Sequence, residues 1–144
     1  MSKEQVTGGE LLQELARNMV SAQREFFGKG PESAKAHIID DLLFIVMRGS
    51  LTVAEHTMID FDRPDEVRRF RQIFENEMAA KLTGMVEDLT GRKVVNYQSQ
   101  IMFDPDVVVE MFVFDRDARQ EDRDATAHGQ LADDDTGEAT ADDV

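Results

Sequence analysis

The stretch AKAHIIDDLLFIVMR, residues 34–48, decides the fold. It is longer than a typical strand of about five to six residues, and Asp40-Asp41 interrupts it with the short polar side chains a tight turn uses. The reading is two strands, 34–39 and 42–48, joined as a hairpin. In the second, Leu42-Leu43-Phe44-Ile45-Val46-Met47 is apolar at both parities. A strand side chain alternates between faces, so this strand requires cover on both, either within a covered sheet or against a partner subunit. The rival reading is a continuous buried helix. Gly49 and the β-prone centre of the segment oppose it.

Upstream, Thr7 and Glu10 have capping-box spacing, and Leu11, Leu12, Leu15, Met19, Val20, Phe26 and Phe27 recur at helical steps. This predicts an amphipathic helix ended by Gly28, with Gly30-Pro31 preventing its continuation. Downstream, Thr52 and Glu55 predict the cap of a short helix over 51–58. Pro64 then opens a second long helix through about 65–89, and Gly91 closes it. KVVNYQSQIMF and VVVEMFVF flank Asp104-Pro105-Asp106 as a second hairpin. The expected architecture is α+β: a four-stranded, mostly antiparallel sheet of two hairpins, packed by two long helices and one short one. Residues 1–9 read as a lead-in, 10–116 as a single domain, and 117–144 as an acidic disordered tail.

The 144-residue chain carries 30 Asp and Glu against 16 Lys and Arg, a net charge of −14. That balance opposes nucleic-acid binding through phosphate neutralisation. Asp outnumbers Glu 17 to 13 and Arg outnumbers Lys 11 to 5, a composition suited to a salt-rich cytoplasm where repulsion is screened. No cysteine is present, which excludes disulfides, thiolate catalysis and cysteine-based metal sites. No apolar run reaches the roughly 18–20 residues of a membrane span, and MSKEQVTGGE lacks the apolar core of a secretory signal.

Few residues suggest chemistry. Gly28, Lys29 and Gly30 are candidates to hold an anion, with converging N–H groups and one positive charge, although the same string reads as a helix stop and turn. His37 with Asp40 and Asp41 could be drawn as an acid–base or metal cluster, but the intervening turn spoils ligand spacing, and a capped turn is the simpler reading. Glu55-His56 lacks the second histidine of a zinc-protease helix. Arg68, Arg69 and Arg71, beside Asp65 and Glu66, read as salt-bridged surface. Pro31, Asp40, Asp41, Gly91, Asp104, Pro105 and Asp106 are assigned to turns and structural motifs. Leu42, Phe44, Val46, Phe112 and Phe114 are the candidate interface. The residues offer no catalytic set, no metal set and no cofactor fingerprint.

Taken in order, Gly28–Pro31, Asp40-Asp41, Gly49-Ser50-Leu51-Thr52 with Ala54-Glu55, Leu89–Val94, and Asp104-Pro105-Asp106 with Glu110, Phe112 and Phe114 resemble the MpsC-type family. The likeness covers about residues 10–115. It implies a link to systems of sodium translocation, membrane potential and bicarbonate accumulation, with transport expected in membrane-embedded partners and no catalytic residues to carry over. The expected function is therefore a soluble, homodimeric, non-catalytic accessory or regulatory protein-binding module of an ion or bicarbonate transport system. Two other readings stand beside it: a small-anion or nucleotide sensor using Gly28–Pro31, and an enzyme using His37, Asp40 and Asp41.

Overall fold

Asp40 takes a left-handed φ of 56°, and this two-residue turn lets Ile39 pair with Leu42. The computed structural model, which describes residues 8–116, orders its elements as α1 (Gly8–Phe27), β1 (Ser33–Ile39), β2 (Leu42–Arg48), α2 (Val53–Asp60), α3 (Pro64–Thr90), β3 (Val94–Met102) and β4 (Val107–Phe114). The expected α+β fold is the one observed. Two hairpins join along β2 and β4, giving a fully antiparallel sheet in the order β1-β2-β4-β3. The cap expected at Thr7 and the acidic tail at 117–144 lie outside the described residues.

Local signals explain the helix ends. Thr52 and Glu55 form the reciprocal capping box of α2. Gly28 and Gly91, both with left-handed φ, close α1 and α3 and donate their N–H groups to Arg24 and Glu87. Inside α3, a side chain at Gly84 would meet nothing within 4 Å, so no close packing offsets the ~1 kcal/mol that glycine costs a helix.

Both long helices pack on the same face of the sheet. Leu15, Met19 and Ala22 from α1 and Met78, Leu82 and Val86 from α3 meet Ala36, Leu43, Ile45, Met47, Val108, Phe112 and Phe114 in one buried cluster. Phe112 and Phe114, expected at an interface, are 0% and 1% exposed. That expectation is corrected: they share the core parity of Val108, and burying an aromatic ring there contributes more than presenting it to a partner. The opposite parity of the central strands, Leu42, Phe44, Val46, Val109, Met111 and Val113, belongs to the other face and is half-buried by its neighbours on the sheet.

This assignment of faces predicts a difference between two phenylalanines. Phe112→Ala should lower the unfolding free energy by about 3–5 kcal/mol, whereas Phe44→Ala should cost far less in the isolated chain, as read from urea unfolding.

Candidate functional site

Three of the motifs that stood out separately in the sequence, Gly28–Pro31, Gly49–Glu55 and Asp104-Pro105-Asp106, meet at one end of the sheet, around the loop 49–52 that links β2 to α2. Gly49 has φ 71°, and an added Cβ would lie 2.6 Å from the Glu32 side chain. Only glycine takes that conformation readily. The Lys29 ammonium donates to the Gly49 carbonyl. From the β3–β4 turn, Asp106 accepts the Ser50 and Leu51 N–H groups at 3.3 Å each, one per carboxylate oxygen, and its carbonyl accepts the Gly49 N–H at 3.1 Å. A buried loop must find partners for its backbone groups, and Lys29 and Asp106 supply them from distant parts of the chain.

Arg71 completes the arrangement from α3. Its Nε and Nη2 donate to the two carboxylate oxygens of Glu55 at 2.6 Å each, and Nη2 also donates to the Ser50 carbonyl at 3.1 Å. Its guanidinium lies 4.0 Å from the centre of the Phe27 ring on α1. Burial alone pushes the Glu55 carboxyl up in pKa; the hydrogen bonds from Arg71 and Thr52 and the Arg71 charge outweigh it, so Glu55 is held below the usual range. One buried ion pair thus ties α3 to α2, to the loop and to α1. The His56 Nε2 stands 4.0 Å from Asp106 at the outer margin. Ser50 Oγ is buried without a hydrogen-bond partner among the described residues.

Behind Arg71, between α1, α3 and the β3–β4 hairpin, lies a polar cavity of about 210 Å³. Its floor is Glu110, 3% exposed, which accepts hydrogen bonds from the Tyr97 hydroxyl and, at 3.1 Å, from Ser99 Oγ. Desolvation pushes Glu110 up to about 7. The hydrogen bonds from Tyr97 and Ser99 oppose this, Glu75 adds to it, and the Arg71 charge opposes it. Burial likewise raises Glu75, against the Ser99 backbone N–H. Tyr97 is raised as well, by burial and then by the Glu110 charge, so its hydroxyl stays a donor. On the far side of Arg71 an apolar groove of about 540 Å³ runs between α1, α2 and α3, walled by Phe26, Phe27, Met58, Val67, Phe70 and Phe74.

The sequence-derived candidates fall into separate places. Gly28 caps α1, Gly30 packs against Val20 and Arg24, and Lys29 is engaged with Gly49. Asp40 and Asp41 form the β1–β2 turn, where the Asp41 carbonyl accepts the Phe114 N–H and Asp41 faces Arg116 at 3.9 Å. His37 sits on the open face opposite Phe44. Arg68 and Arg69 pair with Asp65 and Glu66, as the surface reading expects, but Arg71 turns inward. Sequence reasoning missed the Arg71–Glu55 pair and the Glu110–Tyr97–Ser99 set. Parity ties Glu110 to Phe112 and Phe114, but a strand apolar at both parities does not say which face they take.

Glu110 gives the site a pH signature. Its folded value near 7 exceeds the ordinary 4.5, so between those values the fold binds a proton that the unfolded chain does not. Its contribution therefore becomes more favourable as pH falls from 7 towards 4.5, and above pH 7 it costs about 3 kcal/mol. Glu75 and Arg71 from α3 and Tyr97 and Ser99 from β3 face this group and set the size of the effect. Glu110→Gln should be more stable than the parent at about pH 8, by up to about 3 kcal/mol, with the gap closing towards pH 4.5 in urea titrations.

Comparison with known proteins agrees with the ordered motifs. The family model described as Na+-translocating membrane potential-generating system (MpsC) matches residues 7–116. The uncharacterized protein YrhF of Bacillus subtilis is 31% identical over 97 residues, covering 65% of this chain and 79% of the relative. No solved structure matches. The match spans all seven elements and every motif gathered around loop 49–52, and the chain belongs to the MpsC family.

Proposed function

We propose that this chain is a non-catalytic accessory or regulatory module of the sodium-translocating system for which its family is named, and that it works as a homodimer joined through the open face of its sheet. The observation that carries the reading is the double-sided apolar character of β2 and β4. An antiparallel sheet with one face on a core ordinarily presents polar side chains on the other. Here Leu42, Phe44 and Val46 stand opposite Val113, Met111 and Val109 as three adjacent apolar rows, and the helices pack on the reverse face.

Charge supports the same surface. The rows are flanked by Lys35 and His37 on β1 and by Gln98 and Gln100 on β3. No Asp or Glu shares that parity within the four strands, in a chain with 30 acids. Two copies of so acidic a protein repel over most of their surface, and this is the face on which they can approach without opposing carboxylates. Sheets stacked face to face lie about 10 Å apart with interdigitating side chains, which suits unbranched Met111 and the ring of Phe44.

The same reading assigns ion movement to other proteins. No described helix is long and apolar enough to cross a membrane. The charged groups at the motif junction are engaged in holding loop 49–52, and the engagement of Lys29 with Gly49 weighs against the anion-sensor alternative.

Light-scattering mass after size exclusion in molar salt tests the proposal. The parent chain should run as a dimer. Phe44→Asp and Val109→Lys should each run as monomers with unchanged far-ultraviolet circular dichroism. A monomeric parent at every accessible concentration, or dimers in both variants, contradicts the reading.

A further inference from the structure

The core uses little of α2. Glu55 is its buried residue, while Val53 and Met58 are exposed and Phe61, at its C-cap, is 72% exposed. On α3, Phe70 is 44% exposed and Ile73 is exposed beside it. Single exposed apolar side chains are ordinary, but these gather at one place. Met58 and Phe70 line the groove of about 540 Å³ between α1, α2 and α3, and Phe61 and Ile73 follow them one helical turn on. The aromatic wall of the groove is already ordered. Phe27 and Phe74 stack with ring centres 4.6 Å apart, Phe70 lies 4.8 Å from Phe74, and Arg71 covers Phe27 at 4.0 Å. Rings held in this way offer apolar surface at little further entropic cost to binding.

Charge decides what can cover this surface. Glu66, Phe70, Ile73 and Glu77 follow one another at helical steps, so the exposed edge of α3 reads acid, aromatic, aliphatic, acid. Asp60 and Asp62 stand on either side of Phe61 in the sequence. The neighbouring bases are already answered: Arg69 lies 3.7 Å from Glu66, Lys81 lies 3.3 Å from Glu25, and Arg63 stands against both Asp60 and Asp62. The surround of the groove is therefore net negative. A second copy of a chain with net charge −14 would bring acids against acids. An anionic lipid surface would be repelled in the same way. An apolar face flanked by positive charge is complementary.

We propose that the groove receives a basic amphipathic helix of a partner protein. Its apolar face would sit on Met58, Phe70 and Phe74, and its lysine or arginine side chains would meet Glu66 and Glu77. A helix lays residues i, i+3, i+4 and i+7 along one side, which is the pattern that an apolar groove between helices reads. The groove lies among the helices, on the side of the sheet away from the face assigned to the dimer, so either proposal can fail without the other.

The chain has no tryptophan, so the emission of one tryptophan in a probe peptide reports on the peptide alone. The probe is a peptide of about 18 residues, or about five helical turns. It is built from leucine and lysine, with the leucines and the tryptophan on one face. One control carries the same residues in an order that breaks the face, and a second carries glutamate in place of every lysine. With the intact chain in about 0.15 M salt, the patterned basic peptide should give a saturable blue shift, with a Kd at least about tenfold below that of either control. Phe70→Asp, and the double variant Glu66→Lys with Glu77→Lys, should each raise that Kd at least about tenfold with unchanged far-ultraviolet circular dichroism. Phe61→Asp, at a more exposed position, serves if Phe70→Asp fails to fold. No saturable binding, equal binding of either control, or an unchanged Kd in the variants overturns the proposal.

Discussion

One guanidinium holds the motif end of the molecule. Arg71 reaches from α3 to Glu55 on α2, to the carbonyl of Ser50 and to the face of Phe27 on α1, with its side chain 10% exposed and that of Glu55 4%. At that depth the pair differs from the exposed pairs of Arg68 and Arg69 one turn earlier, which contribute about 0–1 kcal/mol each. Removing one member of a buried pair strands the other and typically costs about 3–5 kcal/mol. Loop 49–52 depends on this pair, because Arg71 takes the Ser50 carbonyl while Glu55 caps α2 through Thr52. Asp106 and Lys29 then close the remaining backbone groups of the loop. Lys29, Glu55, Arg71 and Asp106, far apart in sequence, are the parts of one clamp.

The clamp leaves two features of the sheet unexplained by folding alone. One is the apolar outer face of β2 and β4; the other is Glu110, a carboxylate placed among core residues on the inner face. They lie on opposite sides of the same strand, so β4 joins an association surface to a polar cavity. A residue such as Met111 stands on the outer face directly beside Glu110 and opposite Phe44. A proton taken up at Glu110 acts on a strand that also carries three of the six apolar side chains of the outer face.

Much of the fold was legible because its signals were local. Asp40-Asp41 divides one long apolar stretch into a hairpin, Thr52 and Glu55 cap α2, and glycines end both long helices. The phase of β4 was not legible. VVVEMFVF is apolar at both parities except for Glu110, and placing that charge outward carries Phe112 and Phe114 outward with it. The fold does the reverse, because Tyr97 and Ser99 on the neighbouring strand make a polar niche for the carboxylate inside the core. Arg71 was hidden for a similar reason. Its sequence neighbours are surface charges, and its partner Glu55 lies 16 positions away on another helix. Contacts of that kind are set by tertiary packing, and periodicity carries no trace of them.

The most direct test of the clamp is a double-mutant cycle on Glu55 and Arg71, with Glu55→Gln, Arg71→Met and the double variant unfolded in urea under identical salt. The account predicts strong non-additivity: each single change costs about 3–5 kcal/mol, and the double change costs little more than either alone. Additive losses, with a coupling below about 0.5 kcal/mol, would contradict it. In that case Arg71 and Glu55 would contribute separately, and loop 49–52 would owe its position to Asp106 and Lys29 alone.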